Sequence, residues 1–246
     1  MNNAGKTTKN AKVALVTGGN SGIGEAIVRA LARGGWRLVV AGRRQPENEK
    51  VAADVAREFG VEATPRAADV SREADCLNLI QDTVSSWGRL DLLVNNAGIG
   101  GGGKIAESST EDFDRVVRTN LYSTYWCSRE AYRHMITQPV DTDSGLRGAI
   151  INISSLCGIE AWAGSGIYCA SKHGVMGLSR AMADEGGQDL IRVAAICPAM
   201  VATPMTGVAG PDYIAPDDIA STVVYLLGLT SAAWPVEVVV RRRGAD

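Results

Sequence analysis

The chain has 246 residues, of which 46% are hydrophobic, and its formal net charge is −2. This length and composition allow one sizeable buried core, and the small charge gives no reason to expect nucleic acid or an anionic membrane surface as a partner. No apolar run reaches the ~18 residues that a membrane-spanning helix needs. The five scattered cysteines and two histidines have no metal-ligand spacing, so we predict no metal site and expect reduced thiols in a cytoplasmic protein.

Residues 1–11 are polar and lack the apolar middle of a signal peptide, so we predict a flexible tail. From residue 12 onward, strand-like and helical patterns alternate. Strands are predicted at 13–17, 37–41, 61–68, 90–94, 148–153, 191–197 and 236–240. Helices are predicted at 25–33, 46–59, 72–87, 110–136, 167–185 and 216–229. This order predicts an α/β fold: one Rossmann-like domain over residues 12–246, with a doubly wound parallel sheet and helices on both faces.

A glycine-rich turn follows the first predicted strand and precedes the first helix. Such a turn lets the backbone approach a pyrophosphate, whose charge is held by exposed N–H groups and the positive end of the helix. A flexible surface loop is the alternative interpretation, but the flanking strand and helix favour a dinucleotide site. The residues of this turn are Gly18, Asn20, Ser21, Gly22, Ile23 and Gly24.

Tyr168 and Lys172 are four residues apart within a predicted helix, so their side chains share one face. An ammonium group beside a phenol favours the phenolate, and the pattern therefore predicts that Lys172 lowers the pKa of Tyr168. A phenol with a lowered pKa can transfer a proton near neutral pH, which carbonyl reduction or alcohol oxidation requires.

Together with four further motifs, these features resemble the short-chain dehydrogenase/reductase family over nearly the whole chain. Ser155 precedes Tyr168 by thirteen positions, as is usual in that family. The segment 198–203 resembles the family's nicotinamide-covering segment, with Ala199 replacing the usual glycine. The other residues that carry the resemblance are Asn95, Asn96, Ala97, Gly98 and Asn120.

The resemblance implies a set of catalytic roles. Tyr168 is the general acid or base, and Lys172 also binds the nicotinamide ribose. Ser155 hydrogen-bonds the substrate oxygen, although a strand-end hydroxyl that caps the next turn is the alternative. Asn120 is expected to hold a water beside Lys172, and its position inside a helical pattern also suggests a kink.

The cofactor prediction depends on the end of the second strand. An NAD site usually carries an acid there, whereas this chain has Gly42 followed by Arg43 and Arg44, which favours NADP(H) and leaves NAD(H) open. Solvated loop charges are the alternative for the two arginines. Asp69 and Val70 resemble an adenine-contacting pair, although Asp69 could instead cap a helix.

Further cofactor contacts follow from the resemblance. Backbone near the ribose is expected at Asn96, Ala97 and Gly98, whereas Asn95 is interpreted as a link between strands. The nicotinamide-side contacts are Tyr168, Lys172, Pro198, Val201 and Thr203, of which Thr203 is expected to bind the carboxamide.

The pattern predicts an oxidoreductase for a small carbonyl or alcohol substrate. Segments 156–166 and 200–213 should shape an open pocket, and a 3-oxoacyl thioester is favoured only because similar sequences often use one. Residues 241–243, all arginine, are interpreted as solvated surface. The resemblance also implies a homodimer or homotetramer formed by helices 110–136 and 167–185. A nucleotide-sensing regulator and a halohydrin-type lyase are the alternatives; the retained Tyr168 and Lys172 disfavour them.

Overall fold

The computed structural model describes residues 11–244, so the predicted N-terminal tail lies outside the described residues except for Ala11. Strands and helices alternate through this part of the chain, as the sequence predicts. The strands are β1 (Val13–Thr17), β2 (Arg37–Gly42), β3 (Ala63–Ala67), β4 (Leu92–Asn95), β5 (Gly148–Ile153), β6 (Ile191–Pro198) and β7 (Glu237–Val240). The helices are α1 (Gly22–Arg33), α2 (Gln45–Phe59), α3 (Glu73–Trp87), α4 (Thr110–Val117), α5 (Ser123–Met135), α6 (Gly166–Asp189) and α7 (Pro216–Gly228).

The strands form one parallel sheet in the order β3-β2-β1-β4-β5-β6-β7. The predicted fold class, a single-domain Rossmann-like doubly wound α/β fold, is therefore confirmed. The strand order reverses between β1 and β4, and in such sheets a crevice opens there at the carboxyl ends of the strands. The glycine turn after β1 and residues 96–98 after β4 both lie at this point.

Helices cover both faces of the sheet. Ala14 and Val16 of β1 belong to one core cluster, which includes residues of α1, α2 and α7. Leu15, between them, belongs to a second cluster with residues of α3, α5 and α6. Successive strand residues point to opposite faces, and burial on both sides explains why β1 is a continuous apolar run.

The predicted helix over 110–136 is interrupted. A π-helical turn at Arg118–Tyr122 separates α4 from α5, and Asn120 lies in this turn. Such turns displace side chains from the regular helical register and are frequent at functional sites. The poor helix propensity of Asn120 was the sequence signal for a local irregularity.

Two absences concern only residues 11–244. None of the helices there combines the length and the apolar character needed to cross a bilayer. Within the same residues, the His, Cys, Asp and Glu side chains form no group of three or more that could hold a metal ion.

Candidate active site

The glycine turn adopts a backbone that side chains would disrupt. Gly18 and Gly22 have φ angles of +63° and +54°, in the left-handed region that favours glycine. At Gly24, a Cβ would lie 2.1 Å from the carbonyl oxygen of Gly18 and 2.5 Å from Nδ2 of Asn96. The start of α1 therefore packs directly on the turn, as the dinucleotide-site interpretation requires.

Asn96 and Thr17 hold the glycine turn against the end of β4. Asn96 Nδ2 donates to the carbonyl oxygens of Thr17 and Gly18, at 3.0 and 3.1 Å. In return, Thr17 Oγ1 accepts from the backbone N–H groups of Asn96 and Ala97, at 3.0 and 3.1 Å. Sequence reasoning assigned backbone contacts to Asn96 and missed Thr17, whose only signal was its place directly before Gly18.

Asn95 joins neighbouring strands, as predicted. Its Nδ2 donates to Oδ1 of Asn152 on β5 and to Oγ of Ser128 on α5, both at 2.9 Å. Asn152 in turn donates to Ser179 of α6 at 2.8 Å. This buried network connects the sheet with two helices, and satisfied buried polar groups of this kind fix one arrangement of the core.

A cleft of about 830 Å³ opens at the carboxyl ends of the strands, and many predicted site residues line it. Of the four predicted catalytic residues, Ser155, Tyr168 and Lys172 line the cleft, whereas Asn120 is buried behind it. The predicted cofactor residues that also line it are Gly18, Ser21, Gly22, Ile23, Asn96, Ala97, Gly98, Pro198, Val201 and Thr203.

Lys172 is 5% exposed, and its Nζ donates to the carbonyl oxygen of Ile153 at 2.9 Å. Nζ also lies 5.8 Å from the centre of the Tyr168 ring. Burial lowers the pKa of Lys172 to about 8. The ammonium group is therefore held close to Tyr168, but over its ring, by a backbone carbonyl at the end of β5.

The predicted effect of Lys172 on the pKa of Tyr168 is wrong for the protein alone. Burial raises the pKa of Tyr168 to about 12, and a side-chain hydrogen bond with Ser155 opposes this increase. Lys172 does not counteract the burial: its ammonium lies over the ring and donates to the carbonyl oxygen of Ile153.

Ser155 has the capping role that the sequence left open, and its hydrogen bond to the substrate oxygen stays a prediction. Its Oγ accepts from the backbone N–H of Cys157 at 3.1 Å and so caps a short 3₁₀ helix over Leu156–Gly158. The same side chain hydrogen-bonds Tyr168. The cap fixes the hydroxyl at the end of β5, beside the phenol.

The side chain of Asn120 is fully engaged with protein atoms. Oδ1 accepts from the N–H of Ile99 at 2.8 Å, and Nδ2 donates to Ile99 O at 3.0 Å and to Ser171 Oγ at 3.1 Å. A Cβ on Gly98 would come within 3.2 Å of Asn120 Oδ1 and 3.7 Å of Lys172 Nζ. Asn120 therefore holds the loop after β4 against α6, and its water-binding role stays a prediction.

A second part of the cleft, of about 950 Å³, lies at the end of β2 and shares the Gly18 and Ala97–Ile99 region with the first. It collects the remaining predicted cofactor residues except Gly24, which lines neither part, together with two arginines from α4 and the π-helical turn that the sequence did not indicate. The side chains concerned are Asn20, Arg43, Arg44, Asp69, Val70, Arg115 and Arg118.

These side chains differ in how firmly they are held. Arg43 is exposed, and no ion pair forms at its guanidinium within residues 11–244, whereas Arg44 pairs with Glu47 at 3.2 Å. Asp69 Oδ1 accepts from the N–H and the hydroxyl of Ser71, at 3.1 and 2.8 Å. Asp69 therefore caps the turn before α3 and also lines the cleft, so both interpretations of this residue fit.

Two of the three arginines after β7 contact other side chains, whereas the sequence predicted solvated surface for all three; Arg243 is exposed, as predicted. Arg241 forms an ion pair with Glu160, which lies in the predicted pocket segment 156–166. The guanidinium carbon of Arg242 lies 5.2 Å from the centre of the Tyr213 ring, and Arg242 lines the cleft. Three consecutive arginines look alike in the sequence. Residue 242 reaches the cleft because β7 pairs with β6, and the sequence alone does not show this pairing.

Fold and cleft together define a Rossmann-like α/β protein with a Ser-Tyr-Lys group at its crevice. The model of the short chain dehydrogenase family matches residues 12–213. A 3-oxoacyl-(acyl-carrier-protein) reductase of Homo sapiens is 36% identical over 195 residues, covering 79% of this chain and 78% of that protein. The chain belongs to the short-chain dehydrogenase family and is an oxidoreductase of that family.

Solved structures agree with this assignment. An alcohol dehydrogenase from Thermococcus sibiricus complexed with 5-hydroxy-NADP matches with a TM-score of 0.87 and 28% identity, covering 96% of this chain and 99% of that chain. A 3-ketoacyl-(acyl-carrier-protein) reductase from Brucella melitensis complexed with NADH matches with a TM-score of 0.84 and 30% identity, covering 95% and 98%.

Proposed function

We propose that this protein transfers a hydride between NADP(H) and a ketone or secondary alcohol, with Tyr168 as the general acid or base. The observation that carries the proposal is one cleft lined by Ser155, Tyr168 and Lys172 on one side and by the glycine turn on the other. The turn supports nucleotide binding because its backbone is close-packed and lacks side chains where a pyrophosphate would approach.

The residues fit a nicotinamide dinucleotide. Gly18, Ser21 and Gly22 would hold the pyrophosphate, Asp69 and Val70 the adenine, and Thr203 the carboxamide. When bound, the nicotinamide supplies the hydride for reduction or accepts it in oxidation.

Proton transfer falls to the protein. In reduction Tyr168 donates its proton to the oxygen that gains charge, and Ser155 hydrogen-bonds the same oxygen. A phenol with a pKa of about 12 is fully protonated at neutral pH and is ready to act as an acid. In oxidation, Tyr168 must lose its proton, and the positive charge of a bound oxidised nicotinamide would lower its pKa.

Arg43 is the basis for proposing NADP(H) over NAD(H). Its guanidinium fork suits a ribose 2′-phosphate, and its freedom from ion pairs in the described chain leaves its donors available. The similar solved structures hold an NADP derivative in one case and NADH in another, so the choice depends on residues of this chain.

The proposed substrate class is a small carbonyl or alcohol, and a 3-oxoacyl thioester is favoured by the similarity to 3-oxoacyl-(acyl-carrier-protein) reductases. We also propose self-association, since Phe113, Tyr122 and Tyr125 on the α4–α5 side are 43–44% exposed. Light scattering tests it: a dimeric or tetrameric mass is expected. The free cysteines favour a reducing compartment such as the cytoplasm.

Cofactor titration followed by turnover assays tests the proposal. We expect NADPH to bind more tightly than NADH, measured by nicotinamide fluorescence, and the loaded enzyme to reduce members of a panel of ketones and 3-oxoacyl thioesters. Binding without turnover of any panel member would support the nucleotide-sensing alternative. If neither cofactor binds, the proposal is wrong.

A further inference from the structure

Few charged side chains line the part of the cleft around Tyr168. Among the described residues, the side chains that line the cleft around Tyr168 include two cations, Lys172 and Arg242, and no carboxylate. Lys172 is buried and bound to the carbonyl oxygen of Ile153. Arg242 is therefore the charged side chain that this part of the cleft can offer to a substrate.

Arg242 is held in place from two sides. Its guanidinium lies over the ring of Tyr213, with the guanidinium carbon 5.2 Å from the ring centre. The neighbouring residue, Arg241, is anchored by its ion pair with Glu160. A guanidinium that stacks on an aromatic ring keeps the N–H donors at its edge available for a planar anion.

The segment that carries Tyr213 is itself fixed to the sheet. Ile214 pairs with Val201 as a parallel bridge, and the N–H of Ala202 donates to Ile214 O at 2.9 Å. At the end of β7, the N–H of Ala199 donates to Val240 O at 2.8 Å, two residues before Arg242. The cation and its aromatic support are therefore both attached to the strand that ends beside the catalytic group.

The remaining wall of this region is largely apolar, with Leu156, Trp162, Met200 and Met205 among its residues. An isolated cation beside an apolar wall suits a ligand that has a hydrocarbon body and one anionic end. The carbonyl of such a ligand would lie at Tyr168 and its anion at the C-terminal segment.

We propose that Arg242 is a specificity-determining residue that binds an anionic group, a carboxylate or phosphate, on the carbonyl substrate. The inference rests on the reductase function proposed above and deepens it. It assigns to the C-terminal segment a direct part in substrate selection, and it predicts that oxo acids are preferred over neutral ketones of the same shape.

The test uses straight-chain oxo acids of increasing length and the methyl ester of each, assayed with NADPH. For the full-length enzyme we expect a higher kcat/KM for the acid than for its ester, and for Arg242→Met we expect the acid-to-ester ratio to fall by about 10- to 100-fold. Arg243→Met is the matched control: this arginine is adjacent, exposed and outside the cleft lining, so the ratio should be unchanged.

A second measurement separates failure of this inference from failure of the proposed function. Binding of each acid to the NADPH complex, followed by tryptophan fluorescence, should weaken in Arg242→Met, even if the acid is not turned over. Phosphorylated ketones tested beside the oxo acids distinguish a phosphate from a carboxylate.

Three results would overturn the inference. One is an acid-to-ester ratio that Arg242→Met leaves unchanged. The second is an equal fall in Arg243→Met. The third is a weaker NADPH affinity in Arg242→Met at unchanged acid binding, because it would assign the cation to the cofactor.

Discussion

Asn20 donates a hydrogen bond to the side-chain oxygen of Asn48 across 2.7 Å, and this pair fills the space where a side chain on Gly42 would begin. A Cβ on Gly42 would lie 2.5 Å from Asn20 Nδ2 and 2.9 Å from Asn48 Oδ1. Asn48 is fully buried and donates to the carbonyl oxygens of Gly42 and Arg66, at 2.8 and 2.9 Å. Packing therefore favours glycine at position 42, whatever the cofactor.

We predict that Gly42→Ala destabilises the protein by about 1–3 kcal/mol, because Asn20 must move and leave a buried oxygen of Asn48 without its donor. Urea unfolding measures the change. Gly187→Ala is the control: it lies in α6 with open space around its Cβ, and alanine there should raise stability by up to about 1 kcal/mol. An unchanged stability of Gly42→Ala would show that Asn20 can move away from Asn48 without a cost in free energy.

A side chain at position 42 would disturb this packing, so Gly42→Asp is a poor probe of cofactor preference. A substitution of Arg43 is the better probe. We predict that Arg43→Glu weakens NADPH binding by about 10- to 100-fold and changes NADH binding far less, since only NADPH carries the 2′-phosphate. Fluorescence titration with both cofactors measures this. Arg44→Glu, at a side chain already paired with Glu47, should have the smaller effect on NADPH affinity. If Arg43→Glu instead weakens NADPH and NADH binding equally, Arg43 does not bind the 2′-phosphate.

The sequence predicted the sheet and the glycine turn of the crevice for related reasons. Burial of β1 on both faces leaves an uninterrupted apolar pattern, and glycines mark positions where a side chain has no room, so both are visible without coordinates. Tyr168 and Lys172 followed from their spacing within one helix, whereas Ser155 followed from the resemblance to the family; the three line the same cleft.

What the sequence could not show depends on distant contacts. The position of Lys172 over the ring of Tyr168 follows from its bond to Ile153, nineteen residues away. The placement of Arg242 depends on the pairing of β7 with β6. The sequence shows the charge of Lys172 and its helical spacing from Tyr168, but neither property specifies the direction in which a buried ammonium group points.

Tyr168→Phe tests the general acid directly. We predict a fall in kcat of about 100- to 10,000-fold, because the phenyl ring retains the packing under Lys172 but has no proton to give. The Kd for NADPH should change by no more than a few-fold. Tyr225→Phe, at an exposed tyrosine of α7, should leave turnover intact; substantial turnover by Tyr168→Phe would assign proton transfer to another group.

The pH profile reports on Lys172. Its pKa of about 8 predicts that kcat/KM for carbonyl reduction is level below pH 8 and falls as the pH rises through that value. The reason is that loss of the ammonium charge removes electrostatic support for the negative charge that develops on the substrate oxygen. Lys172→Met should show low activity without this step. A level profile up to pH 10 in the unaltered enzyme would contradict the assignment.

Lys172 should also reduce the stability of the fold. Burial disfavours its charged form, and the lowering of its pKa from 10.5 to about 8 corresponds to a cost on the order of 3 kcal/mol at neutral pH. The lost hydrogen bond to Ile153 offsets about 1 kcal/mol of this. We therefore predict that Lys172→Met raises the free energy of unfolding at pH 7 by about 1–3 kcal/mol.

The pH dependence of this gain has a definite sign. Below pH 8 the lysine is charged in both the folded and the unfolded chain, so the folded enzyme bears the full cost of burial. Between pH 8 and 10.5 the folded form releases its proton first, and the stability of the unaltered protein rises with pH. Urea unfolding should therefore show the advantage of Lys172→Met shrinking over this range. Lys50→Met, at an exposed lysine of α2, should show no such trend, and an advantage that is constant with pH would mean that packing, and not the buried charge, causes it.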